Sequence, residues 1–258
     1  MKTFSFLLAG FLFCSFTAKV NNTLNDEHIT GKVKSITEYE FFIVKGKEVL
    51  YGKHVTSYDK NGNETLRRSY NAHDSINFPD LVWDYKYNEK GDKVEENIYN
   101  ADGSLSWKTV FTYNISGLLI ETNRYPESGI LMQRDIFKYD SAGRRIEYRS
   151  YDGNGGKNGE SFFRYDAQNR LIEEQEEDYA PSGYITKVSR KYDGQNNLAE
   201  RLETEIRVVD NKEVQFPRSN YFRYSQYDDH SNWINMSEAI SSRGITDTFV
   251  YRREISYY

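Results

Sequence analysis

Seven times along this chain a tyrosine is followed at once by aspartate or asparagine, and the copies are nearly evenly spaced. They fall at Tyr58, Tyr87, Tyr113, Tyr139, Tyr165, Tyr192 and Tyr227, separated by 29, 26, 26, 26, 27 and 35 residues. Self-similarity at a period of roughly 20–50 residues marks a repeat architecture, in which each unit is one small supersecondary element that needs its neighbours to bury a face. Four residues after each of the first six tyrosines stands Gly62, Gly91, Gly117, Gly143, Asn169 or Asn196. Glycine and asparagine are the residues that best tolerate a left-handed backbone. A second punctuation series, Gly103, Gly129, Gly155 and Gly183, falls between them, and four units carry a further tyrosine twelve residues on, at Tyr70, Tyr99, Tyr125 and Tyr151.

Each unit therefore reads as strand, tight turn, strand, second turn. In the third, Lys108–Tyr113 and Leu118–Tyr125 are rich in β-branched and aromatic residues, and Asn114–Gly117 and Pro126–Gly129 are turn chemistry. The segment from Glu173 to Tyr179 has helix-forming composition but occupies a second-strand position, so it reads as strand. Lys32 to Val49 reads as an opening hairpin turning at Lys45-Gly46-Lys47, and Asp247 to Tyr258 as a closing strand. The expectation is an all-β chain, an antiparallel meander of about seven 26-residue hairpin repeats forming an elongated twisted or curved sheet. Alternation places Phe111 with Tyr113, Phe137 with Tyr139 and Phe163 with Tyr165 on one face, where they should stack as a ladder; Trp83, Tyr85 and Tyr87 share that parity. Val110, Ile136 and Phe162 fall on the other face. The apolar residue seven after the key tyrosine (Val94, Ile120, Ile146, Ile172) is the expected inward anchor of each second strand.

The units Phe137-Lys-Tyr-Asp-Ser-Ala-Gly-Arg-Arg-Ile146 and Phe163-Arg-Tyr-Asp-Ala-Gln-Asn-Arg-Leu-Ile172 resemble YD repeats of RHS-like proteins. Tyr227-Asp-Asp-His-Ser-Asn-Trp-Ile234 is similar to a variant found in exported repeat proteins of the Bacteroidetes type. The resemblance covers roughly residues 55 to 240; Ser231 replaces the usual turn glycine, and the unit from Tyr192 to Tyr227 is stretched. It implies strips of β-hairpins, wound in some members into a shell around a toxin, which takes many more units than this chain has.

The N-terminus reads as an export signal, residues 1–18, with Lys2 ahead of the apolar run Phe4 to Phe16 and a small-residue exit at Thr17-Ala18. That run is shorter than the roughly 20 residues a membrane-spanning helix needs. Lipid anchoring through Cys14 is the lesser alternative, because Leu12-Phe13 stand where small residues belong. Residues 19–30 read as a polar leader and 31–258 as the repeat domain. The chain is expected to be exported, to the periplasm, the cell surface or the medium, with no transmembrane segment. Loss of Cys14 with the signal leaves no thiol and no disulfide framework. A formal charge of -5 argues against a phosphate-binding surface and hence against nucleic acid.

No constellation supports catalysis. The histidines His28, His54, His73 and His230 are scattered, without metal-ligand spacing. Asp59–Asn63 and Asp152–Gly159 superficially resemble calcium loops, but the spacing fails, and both fall where turns are required. An aspartate recurring at every turn is a folding device. No enzyme, cofactor or metal is expected. The aromatics are the ligand candidates: Phe111, Tyr113, Phe137, Tyr139, Phe163 and Tyr165, with Trp107 and Trp233, which are less tied to the tyrosine parity, as surface platforms. Against this stands a purely architectural role as cross-strand ladders. The reading is a non-enzymatic binding module for a glycan or an envelope protein. The alternative is an assembly scaffold that pairs with a partner chain through its sheet edges.

Overall fold

A computed structural model describes residues 29–72, 78–179, 183–209 and 212–258. The export signal, Cys14, most of the polar leader, His28 and His73 lie outside the described residues. The sixteen strands are β1 (Val33–Val44), β2 (Lys47–Tyr58), β3 (Glu64–Asn71), β4 (Leu81–Tyr87), β5 (Lys93–Asn100), β6 (Leu105–Tyr113), β7 (Leu119–Pro126), β8 (Gln133–Tyr139), β9 (Arg145–Asp152), β10 (Lys157–Tyr165), β11 (Leu171–Asp178), β12 (Tyr184–Tyr192), β13 (Leu198–Val209), β14 (Lys212–Tyr227), β15 (Trp233–Ser242) and β16 (Ile245–Tyr257).

Each strand pairs antiparallel with the next, and β16 returns to β1, so the sheet is a closed barrel. This overturns the open, elongated sheet expected from the repeat. The register that closes it runs from Val33↔Tyr257 to Phe42↔Phe249. An open meander would leave two edge strands with unpaired backbone groups; closure removes both. Twist accumulated over this many strands brings the first edge round to the last.

The tyrosine motif builds one rim. In all seven copies the fourth residue after the tyrosine has a left-handed backbone, including Asn169 (φ 63), Asn196 (φ 69) and Ser231 (φ 64). Ser231 therefore takes the conformation its glycine counterparts take, and the stretched last unit closes with the same turn. The Asx side chain organises each turn. Asp166 Oδ1 accepts from the backbone N–H of Gln168 and of Arg170, both at 2.9 Å, and Asp59, Asn88, Asn114, Asp140, Asp193 and Asp228 do likewise.

The register slips by one residue at this rim, for instance between Thr112↔Glu121 and Tyr113↔Leu119. The extra residue is the one seven after the tyrosine. This β-bulge flips the parity expected for the second strand. The residue six after the tyrosine turns inward instead: Glu64, Lys93, Leu119 and Leu171 are buried, whereas Ile146 is 38% exposed.

The key tyrosine hydroxyls then have a defined task. Those of Tyr113, Tyr139, Tyr165 and Tyr192 donate to the carbonyl oxygens of Lys93, Leu119, Arg145 and Leu171, at 2.7–2.9 Å. Each acceptor is the inward residue on the preceding strand. Tyr139→Phe is expected to lower stability by about 1 kcal/mol, the net contribution of one hydrogen bond to a buried carbonyl. Chemical denaturation of the variant checks this, and an unchanged midpoint would show that the phenol does not tie the two strands.

The two wall faces differ sharply. Following the cross-strand pairs round the barrel puts nearly all buried strand residues on one face: Thr56, Thr109, Thr122, Asp135, Phe137, Ser150, Ser161, Thr186, Val188, Asn220, Phe222, Met236, Glu238 and Tyr251. A concave face converges and occludes its side chains, so this is the inner one. Among the described residues the close backbone approaches between strands are those of sheet neighbours. Sixteen strands spaced about 4.8 Å apart and tilted by about 40° enclose a circle roughly 30 Å across between backbones.

Candidate functional site

The interior is the one place where the sequence-selected aromatics converge. Phe111, Tyr113, Phe137, Tyr139, Phe163, Tyr165, Trp107 and Trp233 all lie on the inner face. This corrects the placing of Trp107 and Trp233 as surface platforms. Trp107 sits in a cross-strand row with Trp83, Ile98 and Pro126. The Trp233 ring is covered by the Arg253 guanidinium, 3.6 Å from its centroid, and by Tyr224 at 5.8 Å.

The rings of successive repeats do not stack on one another. They stand two strands apart, about 9–10 Å, which is beyond ring contact. A cation from the intervening strand fills the gap. Lys93 Nζ lies 4.1 Å from the Tyr85 ring centroid and 5.9 Å from that of Phe111, and the Arg145 guanidinium lies 5.2 Å from both Phe137 and Phe163. On these two strands a cation thus stands between two ring faces, whereas Leu119 and Leu171 hold the same inward position on β7 and β11.

Between the large side chains runs a buried polar row. Asp135 accepts hydrogen bonds from the Thr122 hydroxyl (3.1 Å), the Tyr148 hydroxyl (3.0 Å) and the Gln133 amide (2.9 Å). Burial first, and the Asp135 carboxylate next, push the Tyr148 phenol up to about 12. Tyr148 therefore acts as a donor at any physiological pH. The large rings above this row, including Trp83, Trp107, Phe111 and Phe163, are only half-buried, so part of each faces the lumen.

Near the first repeat, Glu64 is 2% exposed and is met by Arg67 at 2.5 Å and Lys93 at 3.8 Å. Burial acts to raise its carboxyl, but Arg67, Lys93 and hydrogen bonds from Arg67 and Tyr85 outweigh it and hold the carboxyl below the ordinary range.

The seam is acidic. Glu238 is fully buried, accepting from Asn220 Nδ2 (2.5 Å) and the Tyr251 hydroxyl (3.1 Å), and desolvation raises its carboxyl. On β1, Glu40 is lifted to about 7, by burial first and then by Glu38 and Glu238. A carboxyl raised on folding binds a proton more tightly in the native state, so its burden on stability grows as pH rises from about 4.5 to 7. Glu40→Gln is expected to stabilise the protein by about 1–3 kcal/mol at pH 8 and to have little effect at pH 4.5. Denaturant unfolding at the two pH values checks this; a pH-independent difference would show that Glu40 is solvated.

The remaining candidates are occupied by the fold. His230 lies at the tyrosine rim, its ring 4.1 Å from that of Tyr257, and its carbonyl accepts from the Thr30 hydroxyl. His54 faces the interior, where burial lowers its pKa. Among the described residues no group of three His, Cys, Asp or Glu side chains could hold a metal ion. The calcium-like turn at Asp59 spends Oδ1 on the amides of Asn61 and Asn63.

The outer wall is laced with ion pairs at mid-strand. Glu95 meets Lys86 (2.6 Å) and Lys108 (2.7 Å), Glu147 meets Lys138 (3.0 Å) and Arg149 (2.5 Å), Arg134 meets Glu121 (2.6 Å), and Lys191 meets Glu200 (2.7 Å). A depression of about 400 Å³ on this wall is lined by Phe162, Leu202, Gln175 and Lys187, and its Glu173 is paired with Arg164.

No protein-family model matches the chain, and no curated protein matches it. Among solved structures, a porin-like protein from Bacteroides uniformis superposes with a TM-score of 0.59 at 12% identity, over 88% of this chain and 98% of that one. The chain shares the fold of that protein. A Photorhabdus luminescens Tc holotoxin pore aligns with a TM-score of 0.30 at 12% identity, over 82% of this chain and 13% of that one.

Proposed function

We propose that this is an exported, non-enzymatic barrel of the bacterial envelope that binds a ligand, a glycan by preference, within its aromatic-lined interior. One observation carries the reading. Half-buried Trp and Phe rings share the inner face of a closed barrel with cations and with hydroxyls able to hydrogen-bond a sugar. Sugar rings stack their C–H faces on such aromatics, and neighbouring polar groups fix their hydroxyls. Tyr113, Tyr139 and Tyr165 are committed to backbone carbonyls, so Trp83, Trp107, Phe111 and Phe163 are the residues assigned to ligand. The YD-repeat resemblance fits the seven identical turns.

The scaffold alternative loses its basis, since closure leaves no free sheet edge for a partner strand. No helix among the described residues is long and apolar enough to cross a membrane. The outer wall also lacks the apolar band of a lipid-facing barrel, where each midplane Lys or Arg costs about 2–4 kcal/mol. We therefore place the barrel in water, in the periplasm or at the cell surface. A glycan array followed by titration calorimetry tests the reading. Binding that is lost in Trp107→Ala and kept in Phe162→Ala, on the outer wall, supports it. Failure to bind any oligosaccharide, or binding abolished only by outer-wall substitutions, overturns it.

A further inference from the structure

Arginines occupy neighbouring inward positions on β12, β13 and β14. Arg190 pairs directly across with Arg201, Arg201 in turn faces Asn220, and Arg218 stands two residues along β14 from Asn220. Their parity is that of buried Val188 and Asn220, so the row lies on the inner wall. Like charges set directly opposite each other across two strands repel and lower stability. Elsewhere on this wall cations meet acids: Arg67 and Lys93 share Glu64, Arg207 meets Glu205, and Arg253 meets Glu38 at 2.8 Å.

In the arginine row the acids are already engaged. Glu174 takes Arg190 at 2.6 Å. Glu203 lies directly opposite Arg218, but its carboxylate is taken by Arg201. Glu238 accepts from Asn220 Nδ2 and from the Tyr251 hydroxyl, and burial favours its protonated form. Half-buried Arg218 is left with no hydrogen bond or ion pair among the described residues. Its Nε and the Nη1 of Arg190 are buried donors without an acceptor, and the Oδ1 of Asn220 on the same row is also unmet. Buried polar atoms are ordinarily satisfied, and a donor that is not costs its desolvation outright. A position that only had to fill the wall would be better served by an apolar side chain of similar volume.

We propose that the row Arg190, Arg201 and Arg218 is an oxyanion site, which holds a carboxylate or sulfate group carried by the ligand of the interior. The identity of that ligand rests on the glycan reading above: it is an acidic sugar, a uronate or a sulfated one. Guanidinium forks match such groups in geometry and bind them by two parallel hydrogen bonds. Arg218, held by no partner, can turn its fork to the ligand, and the anion relieves the repulsion between Arg190 and Arg201. Phe163 faces Glu174 on the same wall, two strands from Arg190 and about 10–12 Å away. One ring of an oligosaccharide can therefore stack on Phe163 while the acid of another meets the arginines.

Paired measurements separate the site from the sugar. The first is urea unfolding in sodium chloride, sodium galacturonate or sodium sulfate at matched ionic strength, because an anion that binds the native state raises the midpoint. The wild type is expected to gain more than Arg218→Gln with at least one of the two oxyanions, and the larger gain tells carboxylate from sulfate. Arg218 pairs with no acid, so its replacement orphans none and the variant folds. Arg207→Gln, which alters a paired arginine on the same wall, should gain as much as the wild type. Equal gains in the wild type and Arg218→Gln with both anions overturn the inference. The second is titration calorimetry with galactose oligosaccharides in neutral, uronate and sulfated forms. An acidic form is expected to bind at least about tenfold tighter than the neutral one, and Arg218→Gln to abolish that preference while leaving neutral binding in place. Neutral and acidic sugars bound alike overturn the inference and leave the glycan reading standing. Stabilisation by an oxyanion through Arg218, with no oligosaccharide bound, upholds the site and overturns the glycan reading.

Discussion

Removing β16, by ending the chain at Ser242, is expected to abolish the soluble folded state. The deletion strips β1 and β15 of a partner along nearly their whole length, since Phe42↔Phe249 and Glu238↔Phe249 both fall on the missing strand. Two long strands with unpaired N–H and C=O groups become templates for aggregation. The loss also takes Tyr251, leaving fully buried Glu238 with one donor in place of two. The cluster of Phe222, Met236 and Tyr251 loses a member. An open-sheet protein would respond differently, because an end strand would be peripheral and its removal tolerated. Expression of the truncated chain followed by light scattering distinguishes the two. A soluble monomer with undiminished β-sheet circular dichroism would contradict closure.

The second large effect is expected from Glu64→Gln. This carboxylate is 2% exposed and neutralises Arg67 and Lys93 on the inner wall. Taking away the buried carboxylate leaves nearly buried Lys93, and Arg67 with about a third of its side chain exposed, without their counter-charge, at a cost of about 3 kcal/mol, the lower end for a broken buried pair. Replacing Arg67 with Met in the same chain should recover part of the loss, by removing one of the orphaned cations. Glu95→Gln is the contrasting case. Its partners Lys86 and Lys108 are on the outer wall, and pairs of that kind contribute about 0–1 kcal/mol. Urea midpoints of the three variants give the comparison. Equal losses for Glu64→Gln and Glu95→Gln would mean that the two faces are equally hydrated, and the assignment of inside and outside would fail.

What could be read in the sequence was whatever a single turn enforces on its own residues. The Asp or Asn after each key tyrosine bonds amides two and four positions on, so the motif and its geometry are inseparable, and even Ser231 obeys it. The hairpin register follows from those turns. Closure could not be read locally. It depends on pairing between residues more than 200 apart, such as Ile36 with Ile255, and neither β1 nor β16 carries the motif. The inward anchor was misplaced by one position, because the bulge at each key tyrosine is a backbone event that leaves Ile120 and Ile146 looking like core residues.

The candidate site divides the same way. Alternation put Phe111, Phe137 and Phe163 on one face, but which face is concave is a property of the whole sheet. Trp107 and Trp233 therefore looked free when they line the interior. Glu40, Glu64 and Glu238 were invisible as inner residues, since a lone glutamate in a strand ordinarily marks the solvent face. Glu40 shares the parity of Phe42 on β1, which was the available signal there, whereas bulges shift the parity of Glu64 and Glu238.

The most direct test of the account is a covalent bridge across the seam. Thr37 on β1 pairs with Glu254 on β16, 217 positions later in the chain, and Cys14, the one cysteine of the sequence, is replaced by Ser for the test. Thr37→Cys with Glu254→Cys should form an intramolecular disulfide under mild oxidation, visible as a faster-migrating, reducible band and confirmed by mass spectrometry of the linked peptides. Thr37→Cys with Thr112→Cys, on a distant part of the wall, should not. If the seam pair stays reduced or links only between molecules, the first and last strands do not meet and the barrel is not closed.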